Sequence, residues 1–241
     1  MVRAAAVVPA AGSGSRMGLA GKKQFLCLAG IPVVGHVLQV LGRNPDVGGI
    51  VLVVAAGDEG RAEELCQNYA GGKWHRVVQG GGERQESVYR GLCALPKWAE
   101  LVLVHDGARP FLTDRLVTGV LRAAAEWGAA TAAVLAKDTV KTAGPDGLVR
   151  ATLPREEVWL VQTPQAFRKD LILAAHEKAR RDNFAATDDC ALVERCGCPV
   201  KIVAGSYANI KITTPEDWAA AEALAALRAK NEPVEGWVQG Q

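Results

Sequence analysis

No apolar run in this 241-residue chain approaches the ~20 residues needed to cross a bilayer, which excludes a helical membrane protein. Charge of one sign is missing too. Lysine and arginine number 28 against 26 aspartate and glutamate, so the net charge is +2 and no global field advertises nucleic acid or a membrane as partner. Local clusters remain free to serve an anionic small molecule. Met1-Val2-Arg3 leads directly into a short apolar run ending at Pro9, without the longer apolar stretch of a secretory signal, so the expected location is cytoplasmic.

The six cysteines lack the paired spacing of a zinc site. Cys27, Cys66 and Cys93 fall in apolar-periodic segments and are expected to be small buried hydrophobes. Cys190, Cys196 and Cys198 lie close together, but no matching second half exists, and no metal-ligating residues are expected. Internal repeats and low-complexity segments are absent. So are a Ser–His–Asp order and a Glu-x-x-His pattern, which leaves covalent acyl transfer and zinc hydrolysis without support. His36, His75 and His176 fall in helix or strand patterns and read as structural or surface residues.

What is present is ordinary globular composition, 49% hydrophobic and 22% charged. The length suits one domain over residues 1–229. Residues 230–241 show no periodicity and are expected to form a mobile tail. Segments 4–9, 50–55, 76–79, 101–105, 129–135, 158–161 and 200–203 read as strands, several of them apolar at nearly every position. Val33, Val34, Val37, Leu38 and Leu41 recur at helical spacing after Pro32, a good first helical residue. Val88, Leu92 and Leu95 do the same, as do Leu116, Val117, Val120, Leu121 and Ala124 behind the cap Thr113. Thr214-Pro215-Glu216-Asp217 opens the last helix. This alternation predicts an α/β fold with a doubly wound, mostly parallel, Rossmann-like sheet. One stretch departs from it. Gly144-Pro145-Asp146-Gly147 reverses the chain inside a projecting β-arm at about residues 138–160. A two-stranded ribbon is barely stable alone, so the arm is expected to reach a second subunit.

In open parallel sheets, ligands sit beyond the carboxyl ends of the strands. After the first strand comes Pro9-Ala10-Ala11-Gly12-Ser13-Gly14-Ser15-Arg16-Met17-Gly18, then Lys22-Lys23-Gln24. Small residues let backbone N–H groups close around phosphate oxygens, and Arg16 and Lys23 add full positive charge. The third glycine falls one residue late for a dinucleotide fingerprint, and Gly21-Lys22-Lys23 lacks the hydroxyl of a Walker loop. The third strand ends in Gly80-Gly81-Gly82, which permits close approach of a flat base or sugar, with the Ser87 hydroxyl nearby. The fourth ends in His105-Asp106-Gly107-Ala108-Arg109-Pro110, where Asp106 suits Mg²⁺ or a sugar hydroxyl. Thr139, Arg155, Thr163, Thr187, Asp188 and Lys211 are the later polar candidates.

The opening motif resembles the signature of sugar-nucleotide-type nucleotidyltransferases. Gly80-Gly81 through Arg84 and Ser87, His105–Pro110, Thr163-Pro164-Gln165, Thr187-Asp188 and Asn209-Ile210-Lys211 narrow the resemblance to the 2-C-methyl-D-erythritol 4-phosphate cytidylyltransferase family. The resemblance implies transfer of CMP from CTP to the polyol phosphate with release of pyrophosphate, in the non-mevalonate route to isoprenoids. It implies Arg16, Lys23, Arg155 and Lys211 as catalytic residues. Pro9, Ala10, Ala11, Gly12, Gly14, Gly80, Gly81, Ser87 and Asp106 would bind the nucleotide. Asp106, Arg109, Thr139, Thr163 and Thr187 would hold the second substrate. It further implies Mg²⁺ carried mainly on the CTP phosphates, and a homodimer whose arm supplies Arg155 to the neighbouring site. Two rivals stand beside it. One is a cytidylyltransferase acting on ribitol 5-phosphate. The other is an NAD(P)-dependent oxidoreductase, which would use Asp58 or Glu59 to bind a ribose.

Overall fold

The structure is a computed structural model that describes residues 4–12 and 22–230. The expected tail, together with Gly14 and Arg16, lies outside the described residues. Strand β1 (Ala4–Pro9) leads to a 3₁₀ turn (Lys23–Phe25), the short ribbon β2 (Cys27–Leu28) and β3 (Ile31–Pro32), and helix α1 (Val33–Arg43). Then follow β4 (Val47–Val54), α2 (Glu59–Tyr69), β5 (Trp74–Gln79), α3 (Arg84–Cys93), β6 (Leu101–Val104), α4 (Asp114–Trp127) and β7 (Ala129–Leu135). An arm of β8 (Lys141–Ala143) and β9 (Val149–Thr152) intervenes before β10 (Trp159–Arg168), α5 (Lys169–Arg181), α6 (Asp189–Glu194), β11 (Lys201–Ala204) and α7 (Pro215–Ala229).

The seven-stranded sheet runs β11-β7-β10-β6-β1-β4-β5. Successive strand residues point to opposite faces, and the sequence fills both. Ala6 and Val8 of β1, Ile50, Leu52 and Val54 of β4, and Leu103 of β6 pack against α1, α2 and α4. Ala5 and Val7, Val51 and Val53, and Val102 and Val104 of the same strands pack against α3, α5 and α6. Two-sided burial is why these strands are apolar throughout, as parallel strands must be. A smaller cluster, with Leu28, Val33, Phe111 and Ile212, seats α7.

Helix ends follow the local chemistry. The Thr113 hydroxyl accepts from Leu116 N at 3.3 Å and caps α4, and Gly128 ends that helix at φ 88°, a conformation open to glycine. Thr214 and Asp217 form a reciprocal capping box at the start of α7. Three details differ from the sequence reading. Pro32 is the residue before α1 rather than its first, and Leu95 falls beyond the end of α3. Cys27 and Cys93 are exposed, whereas Cys66 and Cys190 are buried. Both exposed thiols fall where the apolar pattern is breaking up, Cys27 in the short β2 and Cys93 at the last turn of α3.

β10 is the antiparallel strand of the sheet, lying between β6 and β7. After β7 the chain spends its connection on the arm instead of a helix crossing a face. It therefore returns from the same rim and must run backwards. The strand also extends to Arg168, well past the expected 161, because a register break between Val161 and Gln165 separates two paired halves. The arm itself is almost wholly exposed, with Leu148, Val149 and Leu153 open to solvent.

Candidate active site

The carboxyl ends of β1, β4, β5 and β6 share one rim, and the first structural task there is to hold a loop. Ala10 N donates to Val53 O at 2.7 Å. The buried Gln24 side chain donates to Ala10 O at 2.7 Å and to Gly12 O at 3.2 Å, tying the turn that carries half-buried Lys23 to the start of the glycine-rich loop. The neighbouring Lys22 is turned the other way, into an ion pair with Asp58 at 2.5 Å. Glu59 accepts from Gly57 N and from the Gln79 amide. The two carboxylates that an oxidoreductase would turn to a ribose thus have partners within the chain.

At the end of β5, Gly80 N donates to Val54 O at 2.7 Å. A Cβ at Gly80 would lie 2.5 Å from Ala11 Cβ and 2.7 Å from Ser87 Oγ, so only glycine lets the two loops meet. Ser87 is buried. Its hydroxyl accepts from Gly81 N and donates to Glu83 O, both at 3.0 Å, so it closes the glycine turn from beneath.

Asp106 is the centre of charge. Its Oδ1 accepts from Arg84 Nε at 3.1 Å, its Oδ2 from Lys211 Nζ at 2.7 Å, and Arg109 Nε stands 4.0 Å from Oδ2. These cations come from the start of α3, from the segment after β11, and from the loop after β6. The register break in β10 brings in a fourth segment, where the Thr163 hydroxyl accepts from Asp106 N at 3.0 Å. Asn209 knits them together: its side-chain amide donates to Thr163 O at 2.8 Å and to Gln162 Oε1 at 3.2 Å, and its backbone carbonyl accepts from Arg109 Nη1 at 2.7 Å. A cleft of about 490 Å³ opens over Asp106, Arg109, Thr163, Thr187, Lys211 and Arg84. A larger hollow of about 670 Å³ lies at the amino end of β6 beside Glu100, Arg168 and Lys169, away from this convergence of charge.

The electrostatics follow from the geometry. Burial by itself would raise the Asp106 carboxyl, but the charges of Arg84, Lys211 and Arg109 outweigh it and hold the group well below the usual carboxylate range. Arg84 is likewise opposed by burial and held charged by Asp189 and Asp106. The fully buried His105 is pushed down to about 4 by desolvation, although its Nε2 lies 3.1 Å from Arg109 O. Its folded value lies below the ordinary 6.5, so the unfolded chain binds the extra proton first. Folding stability should therefore fall as pH drops from about 6.5 to about 4, by on the order of 3 kcal/mol. Chemical denaturation across that window should show the loss in the parent and a flatter profile in His105→Gln.

The expected residues divide into groups. Ala10, Ala11, Gly12, Gly80, Gly81 and Ser87 gather at the β1 and β5 ends, and Asp106, Arg109, Thr163, Thr187 and Lys211 line the cleft. Thr139 and Arg155 do not reach it within one chain. Both are exposed on the arm connection, with Arg155 Nη1 donating to Lys137 O at 3.1 Å. The residues to which sequence reasoning gave no role are the ones that hold others in place: Arg84 between Asp106 and Asp189, Gln165 with its amide donating to Asp188 Oδ2 at 2.6 Å, Asn209, and Asp189, which no motif included. Asp189 sits beside the α6 cap Asp188 and looks in sequence like a first-turn acid.

A family model described as 2-C-methyl-D-erythritol 4-phosphate cytidylyltransferase matches residues 4–226. The chain belongs to this family. A protein of that name from Pelotomaculum thermopropionicum is 56% identical over 229 residues, covering 95% of this chain and 96% of the relative. One from Desulforamulus reducens is 51% identical over 227 residues, covering 94% and 96%. A crystal structure of 4-diphosphocytidyl-2C-methyl-D-erythritol synthase from Anaerococcus prevotii superposes with a TM-score of 0.83 at 38% identity, covering 92% of this chain and 95% of that one.

Proposed function

We propose that this cytidylyltransferase-family chain joins CTP to 2-C-methyl-D-erythritol 4-phosphate, giving the CDP-alcohol and pyrophosphate. The observation that carries the reading is the cleft at the strand ends in which Arg84, Arg109 and Lys211 surround one buried carboxylate. Cations gathered there offset the repulsion between two polyanions, which is the main obstacle to the reaction. An oxygen of the polyol phosphate attacks the α-phosphorus in line, a new P–O bond forms, and the bond to the β-phosphate breaks. The nucleophile is already an anion at neutral pH, so no general base is required. Lys211 and Arg109 would hold the incoming phosphate and hydroxyls beside Asp106, Thr163 and Thr187. Arg16 and Lys23 would carry the charge on the triphosphate, over the floor formed by residues 9–12, Gly80 and Gly81, and Gly14 would bind the nucleotide with them. Ser87 would keep that floor closed.

Among the described residues no group of three His, Cys, Asp or Glu side chains converges to hold a metal. At the rim shared with the nucleotide floor the site offers the ionised carboxylate of Asp106, which fits a divalent ion such as Mg²⁺ held mainly by the nucleotide's own phosphates. Such an ion would neutralise phosphate charge. We further propose a homodimer in which the arm carries Thr139 and Arg155 to the partner's cleft. Their exposure, and that of Leu148 and Val149 on the arm, supports this. A cytoplasmic location accords with six cysteines that form no disulfide. No described helix is long and apolar enough to cross a membrane.

The test is pyrophosphate release with CTP and either methylerythritol phosphate or ribitol 5-phosphate. Turnover with the first should exceed turnover with the second by at least about 100-fold, the discrimination available when a site's polar groups are left unpaired by the wrong polyol. Equal rates, or preference for ribitol phosphate, would reject the substrate.

A further inference from the structure

Behind the cleft, a line of buried polar groups runs away from Asp106. Arg84 donates from Nε to Asp106 and from Nη1 to Asp189 Oδ2 at 2.8 Å. Asp189, 1% exposed, accepts at its other oxygen from His176 Nε2 at 3.1 Å. His176 is fully buried on α5, with its ring stacked on Tyr89 at 6.0 Å between centroids. Its Nδ1 has no hydrogen-bond partner. A hydrogen on Nδ1 would have no acceptor, whereas one on Nε2 faces Asp189, so the geometry places the ring's donor on Nε2. That donor occupies one Asp189 oxygen and fixes the carboxylate plane, and the other oxygen is left to hold Arg84. The three helices already pack together on one face of the sheet, and the polar line adds a directional link between them: α3 carries Arg84 just after the glycine turn, α6 carries Asp189 two residues beyond Thr187, and α5 carries His176.

We propose that His176 and Asp189 are positioning residues that fix the Arg84 guanidinium, and that Arg84 in turn orients Asp106 toward the polyol phosphate. A guanidinium is a planar fork, and carboxylates held on two of its sides leave it one orientation. Asp106 lines the same cleft as Thr163 and Thr187, so the device acts first on the second substrate, and more weakly on the nucleotide through the ion that Asp106 would share with it. Its functional half rests on the reaction proposed above.

The test compares His176→Phe, His176→Gln and Asp189→Asn in the full chain, with thermal melting to establish that each is folded. His176→Phe keeps the ring and removes the donor, and Gln returns an amide N–H near the position of Nε2. Expected for Phe and Asn is a KM for methylerythritol phosphate raised about 10-fold, the effect of losing one hydrogen bond to a charged group, with a clearly smaller rise in the KM for CTP. His176→Gln should restore most of it. An unchanged polyol KM, an equal rise in both KM values, or a folded Gln variant no better than Phe would overturn the proposal. A second measurement needs no turnover, which separates this inference from the reaction itself. The ¹⁵N shifts of the His176 ring in the parent should show hydrogen on Nε2 and a bare Nδ1, and Asp189→Asn should disturb them. Hydrogen on Nδ1 would overturn the proposal even in an active enzyme. A parent inactive with both polyol phosphates, but with the expected ring shifts, would count against the reaction while supporting the relay.

Discussion

Replacing Lys211 with methionine is expected to lower kcat/KM for methylerythritol phosphate by ~10²–10³-fold, the usual cost of removing one preorganised charge that acts on a developing oxyanion. Methionine keeps much of the side-chain bulk and removes the ammonium. Lys211 sits 2.7 Å from Asp106 and lines the cleft, so its loss subtracts a full charge where two phosphates must approach each other. Arg84 and Arg109 remain beside Asp106, which should therefore stay ionised, and the fold should survive. Steady-state kinetics with both substrates varied, beside a melting curve, checks this. A folded Lys211→Met enzyme within about threefold of the parent rate would remove Lys211 from the proposed chemistry.

Mixed dimers should regain activity that neither parent homodimer has. Arg155→Ala and Lys211→Ala chains, each nearly inactive alone, should recover roughly a quarter of the parent activity after subunit exchange at equal amounts. Half of the dimers would then be mixed, and each would hold one intact site, built from the Lys211 of one chain and the Arg155 of the other. The geometry behind the expectation is plain: Arg155 is exposed at the base of the arm, and its guanidinium meets Lys137 O instead of the cleft. Failure of the mixture to exceed either homodimer, with exchange verified by mass, would show that the arm does not supply Arg155 to the partner's site.

How much was legible beforehand depended on how local the cause was. The buried strands announced themselves because two-sided burial leaves no polar positions, and β1 and β7 were readable to the residue. The Thr113 cap and the Thr214–Asp217 box were equally local, since a hydroxyl and its N–H partner lie within one helical turn. The motifs after β1, β5 and β6 marked the site because close backbone approach calls for glycine. Helices α2, α5 and α6 went unassigned. α2 and α5 are strongly polar over most of their length, and α6 has only six residues. The ion pair of Lys22 was equally out of reach, because its partner Asp58 is 36 positions away.

Composition and strand patterning were thus enough to predict the α/β sheet, and the motifs at its strand ends carried the family resemblance that pointed to a nucleotidyltransferase and to most of its cleft residues. Tertiary structure alone decided that β10 runs backwards, that Arg84 serves two acids at once, and that Asp189 and His176 stand behind it. The reason is physical: strand direction depends on where the connecting chain is spent. A buried ion pair, in turn, depends on segments more than a hundred residues apart arriving at one point, as Arg84 and Asp189 do.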